Sequence, residues 1–600
     1  MFFRTKYVKR SRVVQLVDSQ RNEEGLPRQR IVASLGNAQL PPGKKRTIAR
    51  CVEQRLLGQR DLFESELSVE DTEWVDRIVR IAEQSQSARM DSGPTALDGV
   101  LADRVETLNV VEFGPELVGM NAWRALGLTE KLLEWGMNRR AAALAQVMTI
   151  NRLVEPLSEW ALIEWVGRTA LPECLNVRIS KSTKDRLYKT SDELMARRRK
   201  LEKYLRETEG SLFGLHRSIV LYDVTNTHFT GLCPFNPKAA RGKNKQRRND
   251  CLQVAVGMAF DECGFSLAHE VFEGNMADSK TLGCMLDRLS TVADRQQKPV
   301  AILDAGIATA DNLQMLRDRG YAYLVNITRG SRARYAEHFG QSGFEALPGR
   351  DDDEQVEVKS MADPDRPEDQ LVLCRSMKRR EKERAIMSTA EKRFLKDAEA
   401  LRKRVAQGRL KDPPKIDKAI GRMAQRNPRV SRFYRVDSAD HALRIERKES
   451  ELAQAYELCG DYVLRTERTF AADTLWYLYM TLLKAEEGFK MLKGTLGLRP
   501  NFHQKEHRVE GHIFISVLAY HLLCWIQTKT EAAGDRRTWR TLRRVLRTHC
   551  LATTRFPLKD GRIVSVRKAS VPDEGQLQIY GMLGIDWRNA YRPRKTGISG

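Results

Sequence analysis

The sequence predicts an α/β core built from three antiparallel strands followed by two parallel strands. Residues 216–329 begin with three strand-like runs, HRSIVLYDVTN, CLQVAVGMAF and FSLAHEVFEGN, which a basic loop and the turn DECG connect. The next runs alternate between helix and strand: SKTLGCMLDRLSTVADRQQ, PVAILDAG, TADNLQMLRDRG and YAYLVNIT. The first three strands can pair as a meander, and right-handed crossovers place the PVAILDAG strand beside the first one. Asp223 and Asp304, which these two strands carry, are therefore expected to be neighbours.

This succession of strands and helices is the ribonuclease H order, and it divides the rest of the chain. We expect residues 216–330 to form the first part of a ribonuclease H-like core, residues 331–470 an insertion domain, and residues 471–600 the second part with a basic carboxy-terminal region. The insertion is marked by its charge, because residues 378–448 hold 23 basic and 10 acidic side chains. That bias favours helices that lie on DNA phosphates, and an exposed hairpin of interleaved charges is the alternative.

Two further segments precede the core. Residues 1–40 alternate polar and apolar side chains in RSRVVQLVDSQ and RQRIVASLG, with the turn-prone NEEGLP between them, and predict a small β-hairpin module. Residues 41–215 carry apolar residues at three- and four-residue spacing, as in ELVGMNAWRALGLTEKLLEWG, and predict a helical domain. We expect this domain to bind DNA ends through its basic residues. The basic run at 197–200 fits DNA binding and a solvated helix face equally well.

The excess of basic residues indicates a polyanionic partner. The chain has 600 residues, a formal net charge of +23 and a pI near 9.6, which makes nucleic acid the leading partner, although anionic membranes also attract basic surfaces. The longest apolar run, 512–526, is shorter than a membrane span and contains two histidines, so we expect a buried helix and no membrane partner. The ten cysteines form no Cys-x-x-Cys pair and the chain starts without signal-peptide zones, which predicts reduced thiols in a cytoplasm.

Two aspartates lie in or directly after apolar strands, at positions where α/β proteins commonly have functional sites. Asp223 interrupts the apolar run IVLYDVTN, and a carboxylate there costs free energy unless it faces a polar cleft or binds a metal. Asp304 follows the apolar run VAIL, at the carboxyl end of a parallel strand, where open α/β sheets bind their ligands. Taken singly, each is explained equally well as an aspartate that caps a turn or a helix.

A third carboxylate comes from the helical segment LYMTLLKAEEGFKMLKGTL. Its apolar side chains recur at alternating four- and three-residue spacing and form a buried stripe: Leu478, Leu482, Ala485, Phe489, Leu492 and Leu496. Tyr479, Glu486 and Lys493 are seven residues apart, nearly two helical turns, so they form a line beside that stripe. From periodicity alone, an ordinary salt bridge at the edge of the stripe is the favoured explanation of Glu486.

These features together resemble bacterial insertion-sequence transposases of the DDE superfamily. The resemblance rests on Asp223 in YDVTN, Asp304 in DAGIAT and the helix Tyr479-x6-Glu486-x6-Lys493. More narrowly, the chain resembles the branch with a Tyr-x2-Arg-x3-Glu-x6-Lys signature, to which GNMADSKTL, LRPNFHQKEHRVEGHIF, RQRIVASLG and the insertion before the glutamate also point.

The chain departs from that signature at one position. The signature arginine falls on Leu482, inside the apolar stripe, so its contribution to DNA-end handling must come from another residue or be absent. Lys490, one turn beyond Glu486, is the candidate substitute.

The resemblance implies metal-dependent DNA chemistry in a bacterial, nucleoid-associated enzyme. Asp223, Asp304 and Glu486 would hold two Mg²⁺ or Mn²⁺ ions, and the enzyme would cut the element ends by hydrolysis and then transfer the strands to target DNA. Tyr479 and Lys493 would contact phosphates near the scissile bond. The implied partners are double-stranded DNA, as terminal inverted repeats and as target, and a second copy of the chain in a homodimer assembled on DNA.

Two other basic segments are candidate DNA contacts. The loop 231–249 contains no acid and leaves directly from the Asp223 strand, so we expect Lys243, Arg247 and Arg248 to clamp DNA. The arginines between 536 and 547 lie on an amphipathic helix, where phosphate binding and a solvated face are equally compatible with the pattern.

Two alternative functions stay open at the level of sequence. The first is a ribonuclease H-fold nuclease or resolvase that cuts without strand transfer, and the second is a non-catalytic DNA-binding relative. The Tyr-Glu-Lys helix and the large insertion favour the transposase, because a simple nuclease needs neither.

Overall fold

The computed structural model describes residues 1–8, 11–21, 27–41, 43–56, 68–87, 99–215, 217–242, 250–289, 299–328, 330–348, 355–439 and 442–599. The chain falls into two compact units. Unit 1 comprises residues 1–196, 495–497 and 511–600, and unit 2 comprises residues 197–494 and 498–510. The five predicted domains stay a prediction. Their boundaries were drawn from sequence composition, whereas the two units are defined by contacts between residues.

The strands are, in chain order, β1 (Phe2–Val8), β2 (Ser11–Arg21), β3 (Pro27–Ser34), β4 (Glu106–Glu112), β5 (Ile219–His228), β6 (Gln253–Phe260), β7 (Ser266–Glu273), β8 (Val300–Leu303), β9 (Ala322–Asn326), β10 (Glu345–Pro348), β11 (Gln355–Asp363), β12 (Arg366–Ser376), β13 (Tyr434–Ala439), β14 (Ala442–Arg447), β15 (Asp461–Thr466), β16 (Cys550–Pro557), β17 (Arg562–Ala569) and β18 (Arg594–Ser599). The helices are α1 (Lys45–Leu56), α2 (Val69–Ser87), α3 (Gly114–Ala125), α4 (Leu128–Glu134), α5 (Arg139–Val154), α6 (Glu159–Val166), α7 (Leu171–Cys174), α8 (Lys184–Ala196), α9 (Arg198–Phe213), α10 (Leu282–Leu289), α11 (Ala310–Asp318), α12 (Ala336–Phe339), α13 (Met377–Ala406), α14 (Pro413–Arg426), α15 (Glu449–Glu457), α16 (Ala472–Met480), α17 (Leu482–Lys490), α18 (Glu506–Ala532), α19 (Trp539–Leu546), α20 (Glu574–Leu583) and α21 (Trp587–Ala590).

Unit 2 is built on a large mixed sheet. Within the described residues its strands run in the order β10-β11-β12-β15-β9-β8-β5-β6-β7. β5, β6 and β7 pair antiparallel, whereas β8 pairs in parallel with both β5 and β9. β6 is buried at every position, as expected of an inner strand covered on both faces. The fold of this unit is therefore mixed α/β, and the predicted three antiparallel and two parallel strands form one side of the sheet, in the order β7-β6-β5-β8-β9.

The sheet continues into the predicted insertion. β10, β11 and β12 pair antiparallel in series, and β15 joins them to the centre by pairing with both β12 and β9. The sequence predicted an insertion domain here and did not predict that its strands extend the main sheet. The reason is that β15 follows β9 only after a long intervening segment, so no local pattern records their pairing.

Between β12 and β15 the chain forms a separate lobe with its own core. This insertion lobe, residues 377–457, contains α13, α14, the β13–β14 hairpin and α15. Its buried side chains include Phe394, Leu401, Met423 and Phe433. The lobe is therefore held together by apolar packing in addition to its many charges.

Unit 1 begins with a three-stranded sheet, β1-β2-β3, rather than a hairpin alone. One face of this sheet packs on α1 and α2, and the shared core includes Leu16, Ile48, Val52 and Val75. The core extends past residue 40 because a small sheet with one apolar face needs a covering layer to be stable.

The remainder of unit 1 combines helices with a four-stranded sheet, β18-β17-β16-β4, within the described residues. β4 lies inside residues 41–215, which the sequence predicted to be helical, so that prediction was wrong for this stretch. β4 is largely exposed and gives a weak apolar signal, and it is a strand because it pairs with the distant β16.

α18 contains the apolar run 512–526. It is the one helix of the described residues that could cross a membrane by length and composition, with a hydropathy of 1.5, but 94% of its apolar window is buried inside the protein. The predicted buried helix is confirmed.

Candidate active site

Asp223 and Asp304 lie just beyond the point where the parallel pairing of β5 and β8 ends, Asp223 in the middle of β5 and Asp304 directly after β8. β5 and β8 are paired with Tyr222 opposite Leu303, and each aspartate is the next residue along its chain. Asp223 is half-buried and Asp304 is exposed. The structure therefore makes Asp223 and Asp304 neighbours on adjacent strands, as the sequence predicted.

Backbone amides contact both carboxylates. The N–H of Val224 donates to Asp223 Oδ1 at 2.7 Å, and the N–H of Ala305 donates to Asp304 Oδ1 at 2.7 Å. The carbonyl oxygen of Asp304 also accepts from the N–H of Ile307 at 3.0 Å. Asp304 thus begins the tight turn between β8 and α11, which holds its backbone in place.

The pairing of β5 shows which face of the sheet Asp223 occupies. Tyr222 and Val224 belong to the apolar core that α10 and α11 cover. Side chains alternate along a strand, so Asp223 lies on the opposite face, together with Leu221. Leu221 is paired with Phe260, whose ring meets Phe489 of α17 edge to face at 5.4 Å. α17, which carries Glu486, therefore packs on the face that carries Asp223.

On α17 the buried and exposed positions are clearly separated. Ala485 and Phe489 are buried, whereas Glu486 and Lys490 are exposed. Leu482, at the position of the signature arginine, is half-buried. The apolar side of the helix thus packs on β5 and β6, which leaves Glu486 on its accessible side.

The neighbouring charges on this segment differ from Glu486 in their surroundings. Glu487 is half-buried, with a carboxylate oxygen 4.0 Å from the ammonium of Lys484. Lys493 is half-buried, and its ammonium lies 5.3 Å from the centre of the Phe489 ring. Lys493 therefore remains against the helix, where a cation–π contact stabilises it.

The helix that the sequence predicted as continuous is interrupted. α16 ends at Met480, α17 begins at Leu482, and residues Met491–Thr495 form a π-helical turn. At the break, the hydroxyl of Thr481 donates to the carbonyl oxygen of Leu478 at 2.6 Å, a local bond that competes with the helical ladder. Tyr479, Glu486 and Lys493 consequently lie on three successive segments and not on one ideal helix.

Tyr479 lies near Asp304. Its hydroxyl accepts a hydrogen bond from Asn326 Nδ2 at 3.1 Å, and Asn326 ends β9, the strand next to β8. Burial raises the pKa of Tyr479, the bond from Asn326 opposes that shift, and the negative charge of Asp304 adds to it. The tyrosine is therefore protonated at neutral pH, and it is close enough to Asp304 for the charge of that carboxylate to affect its pKa.

The donor chemistry of the three carboxylates suits a hard divalent cation, which prefers oxygen ligands. Asp223 and Asp304 supply such oxygens from neighbouring positions on β5 and directly after β8. In the part of the chain that the structure describes, however, no group of three His, Cys, Asp or Glu side chains is placed to hold a metal ion. Glu486 is brought onto the same face but does not complete a ligand set in this conformation.

The predicted DNA contacts Lys243, Arg247 and Arg248 lie outside the described residues. An earlier lysine of the same loop, Lys238, is bound internally: its ammonium lies 3.0 Å from a Glu506 carboxylate oxygen and 2.5 Å from Glu510. Lys238 therefore attaches the loop to the start of α18, a structural role that the sequence pattern did not indicate.

The segment after α17 also lies beside the Asp223 strand, which sequence reasoning missed. The N–H of Asn501 donates to the carbonyl oxygen of His228 at 2.9 Å, and the N–H of Thr230 donates to the carbonyl oxygen of Asn501 at 3.0 Å. The hydroxyl of Thr227 donates to the Leu498 carbonyl at 2.8 Å. This segment belongs to the motif LRPNFHQKEHRVEGHIF, which supported the family resemblance but did not indicate the pairing with β5.

The arginines of α19, in unit 1, divide into two groups. Arg543 donates to the carbonyl oxygen of Val154, and Arg547, the exposed residue that directly follows α19, lies 3.6 Å from a Glu155 carboxylate oxygen. Arg540 and Arg544 are exposed. Part of this basic helix therefore serves internal packing, so its charge as a whole is not a measure of phosphate binding.

Comparison with known proteins identifies the family. A family model described as "Transposase DDE domain" matches residues 214–522, just over half of the chain, and the matched range contains all three carboxylates. No curated protein matches the sequence. The match covers the mixed sheet, the insertion lobe and the helices that follow. The chain therefore belongs to the transposase DDE-domain family and is a transposase of the DDE superfamily.

Proposed function

We propose that this transposase moves an insertion sequence by a cut-and-paste reaction, with Asp223, Asp304 and Glu486 as its catalytic carboxylates. One observation carries the proposal: Asp223 and Asp304 follow directly on the last parallel pair of β5 and β8, and the helix that bears Glu486 packs on the face of Asp223. The strand order β7-β6-β5-β8-β9 supports a ribonuclease H-like core. The Tyr-Glu-Lys spacing supports the branch with the Tyr-Arg-Glu-Lys signature.

The three carboxylates would hold two divalent cations, Mg²⁺ or Mn²⁺. When bound, such cations activate water and stabilise the leaving 3′ oxygen of a phosphodiester. The protein contributes position: the backbone bonds around Asp304 fix its turn, and apolar packing of α17 fixes the helix that carries Glu486. Tyr479 accepts from Asn326, so its own O–H remains a donor that can bind a phosphate oxygen.

The substrate of this proposal is double-stranded DNA, first the terminal inverted repeats of the element and then the target. The net charge of +23 supports a polyanionic partner. Lys490, Lys493 and the loop residues Lys243, Arg247 and Arg248 are the proposed backbone contacts. Two element ends must be held together before joining, so we propose a homodimer on DNA, in the bacterial cytoplasm at the nucleoid.

The first test is the metal dependence of cleavage. A duplex that carries the inverted repeat flanking the coding sequence is expected to be cut at the element end and joined to target DNA in Mg²⁺ or Mn²⁺. Chelator should abolish both products, since carboxylates alone cannot stabilise the leaving oxygen. Asp223→Asn should abolish both as well, whereas Asp311→Asn, which changes an exposed aspartate in the first turn of α11, should not.

Two outcomes would contradict this proposal. Cleavage that persists in chelator would exclude the metal mechanism. Cleavage without any joined product, under conditions in which both ends and target are present, would favour the nuclease without strand transfer.

A further inference from the structure

The acidic side chains of the insertion lobe are largely occupied by internal contacts. Glu391 accepts hydrogen bonds from Tyr434, Tyr456 and Arg447. Glu399 pairs with Arg402 at 2.7 Å. These acidic side chains therefore neutralise only their near neighbours. The remaining basic side chains of the lobe are not neutralised by them.

Several of these basic side chains line a groove between α13 and α14. The groove has a volume of about 490 Å³, and its basic lining comprises Arg404, Lys415, Lys418, Arg422 and Arg426. Its acidic lining is Asp397, which accepts a hydrogen bond from Asn427 Nδ2 at 3.0 Å. The groove is therefore strongly positive.

α14 presents these cations in a row. Lys418, Arg422 and Arg426 follow one another at four-residue intervals, about 6 Å of helix rise each, so they share one side of the helix. All three are exposed, and none forms an ion pair with any residue that the structure describes. Ile416 and Met423, on the adjacent side of the helix, are buried in the lobe's core, and Met423 also lines the groove. The row is therefore fixed in position by packing behind it.

The form of this surface fits a long polyanion better than a small ligand. The groove is open, and its cations stand on exposed, flexible side chains without a buried polar group to orient one small anion. A duplex carries regularly spaced phosphates along each strand, which a row of lysine and arginine side chains can neutralise with release of counterions.

We propose that the α13–α14 groove binds the sugar–phosphate backbone of duplex DNA as a contact separate from the catalytic carboxylates. Lys418, Arg422 and Arg426 are its principal cations, and Lys415, which also lies 3.3 Å from Asp412, and Arg404 flank them. The groove contributes affinity without reading sequence, since phosphate contacts carry no base information. This inference rests on the proposed function, because DNA is the substrate named there.

The test compares two triple variants of the full chain that remove equal charge. The groove variant, Lys418→Gln/Arg422→Gln/Arg426→Gln, removes three positive charges from the lining of the groove. The control variant, Lys392→Gln/Arg393→Gln/Lys396→Gln, removes three exposed cations of α13 that do not line it. Binding to mixed-sequence duplex DNA is measured by fluorescence anisotropy over a range of salt concentrations. The groove variant should lower the slope of log affinity against log salt by about 2 to 3, and the control by less than about 1.

Equal slopes for the two variants, or an unchanged slope for the groove variant, would overturn the proposal. So would a loss confined to duplex RNA, which would identify RNA as the partner. Thermal unfolding of both variants should match that of the parent, since all six side chains are exposed.

The outcome also separates this inference from the proposed function. If the groove variant bound DNA as the parent does while Asp223→Asn still abolished cleavage, only the groove assignment would fail. If the parent cut no DNA under any metal condition while the groove variant lost DNA affinity, the catalytic proposal would fail and the groove assignment would stand.

Discussion

Replacing Glu486 with Gln is expected to reduce DNA cleavage by roughly 10³-fold while DNA affinity stays unchanged. Gln keeps the shape of the side chain but is a much weaker metal ligand, and losing about 4 kcal/mol of transition-state stabilisation corresponds to that factor. Glu486 is exposed on α17, so the fold should not suffer. Single-turnover cleavage of an end-bearing duplex and anisotropy on the same duplex measure the two properties separately.

The next residue along the chain supplies the matched control. Glu487→Gln removes the same charge from a half-buried side chain near Lys484, and cleavage by this variant should equal that of the parent within a few-fold. If Glu487→Gln lost cleavage and Glu486→Gln did not, the third carboxylate would be Glu487. If Glu486→Gln lost DNA binding in proportion to cleavage, Glu486 would be a binding residue and not a metal ligand.

The second large effect concerns the stability of unit 1. Glu116, in the first turn of α3, is fully buried, and neither carboxyl oxygen has a hydrogen-bond partner outside its own residue among the described residues. Burial raises its pKa to about 8, and the charges of Glu112 and Glu155 add to that shift, which Arg547 opposes. Glu116 is therefore protonated in the folded protein at neutral pH, whereas it is ionised in the unfolded chain.

This difference makes stability depend on pH with a definite sign. The unfolded chain loses the proton near its ordinary pKa of 4.5, while the folded protein keeps it until about pH 8. The contribution of Glu116 to the free energy of unfolding is therefore complete below about pH 4.5. It is lost as the pH rises towards 8, a change of up to about 5 kcal/mol. Glu116→Gln cannot titrate, so its stability relative to the parent should rise between pH 5 and pH 8.

Thermal unfolding of unit 1, followed at several pH values in that interval, measures this effect. Glu130→Gln, an exposed glutamate of α4, is the control and should leave the pH profile of the parent unchanged. Parallel profiles for the parent and Glu116→Gln would contradict the account, since they would mean that Glu116 is ionised in the folded protein.

The core was predictable from sequence because its signals are local. The strand runs around Asp223 and Asp304 and the helices between them carry clear periodicity, and crossover handedness alone places the two strands side by side. The position of Glu486 was predictable only in part. Its spacing from Tyr479 assumed one helix, whereas the structure has a break at Thr481, between α16 and α17.

The features that sequence reasoning missed depend on distant pairing. β4 is a strand because β16 pairs with it, and β15 joins the main sheet through β9 and β12. The segment around Asn501 lies beside β5 through backbone bonds, which leave no side-chain pattern to recognise. The internal role of Lys238 has no local signal because its partners, Glu506 and Glu510, lie far along the chain.

The most direct test of the central claim is to locate the bound metal on the polypeptide. With Fe²⁺ in place of Mg²⁺ and end-bearing DNA bound, ascorbate and peroxide generate hydroxyl radicals that cut the chain next to the metal. Cuts should cluster near Asp223, Asp304 and Glu486, and added Mg²⁺ should suppress them. Cuts near the two aspartates but not near Glu486, or cuts elsewhere in the chain, would contradict a single site formed by these three carboxylates.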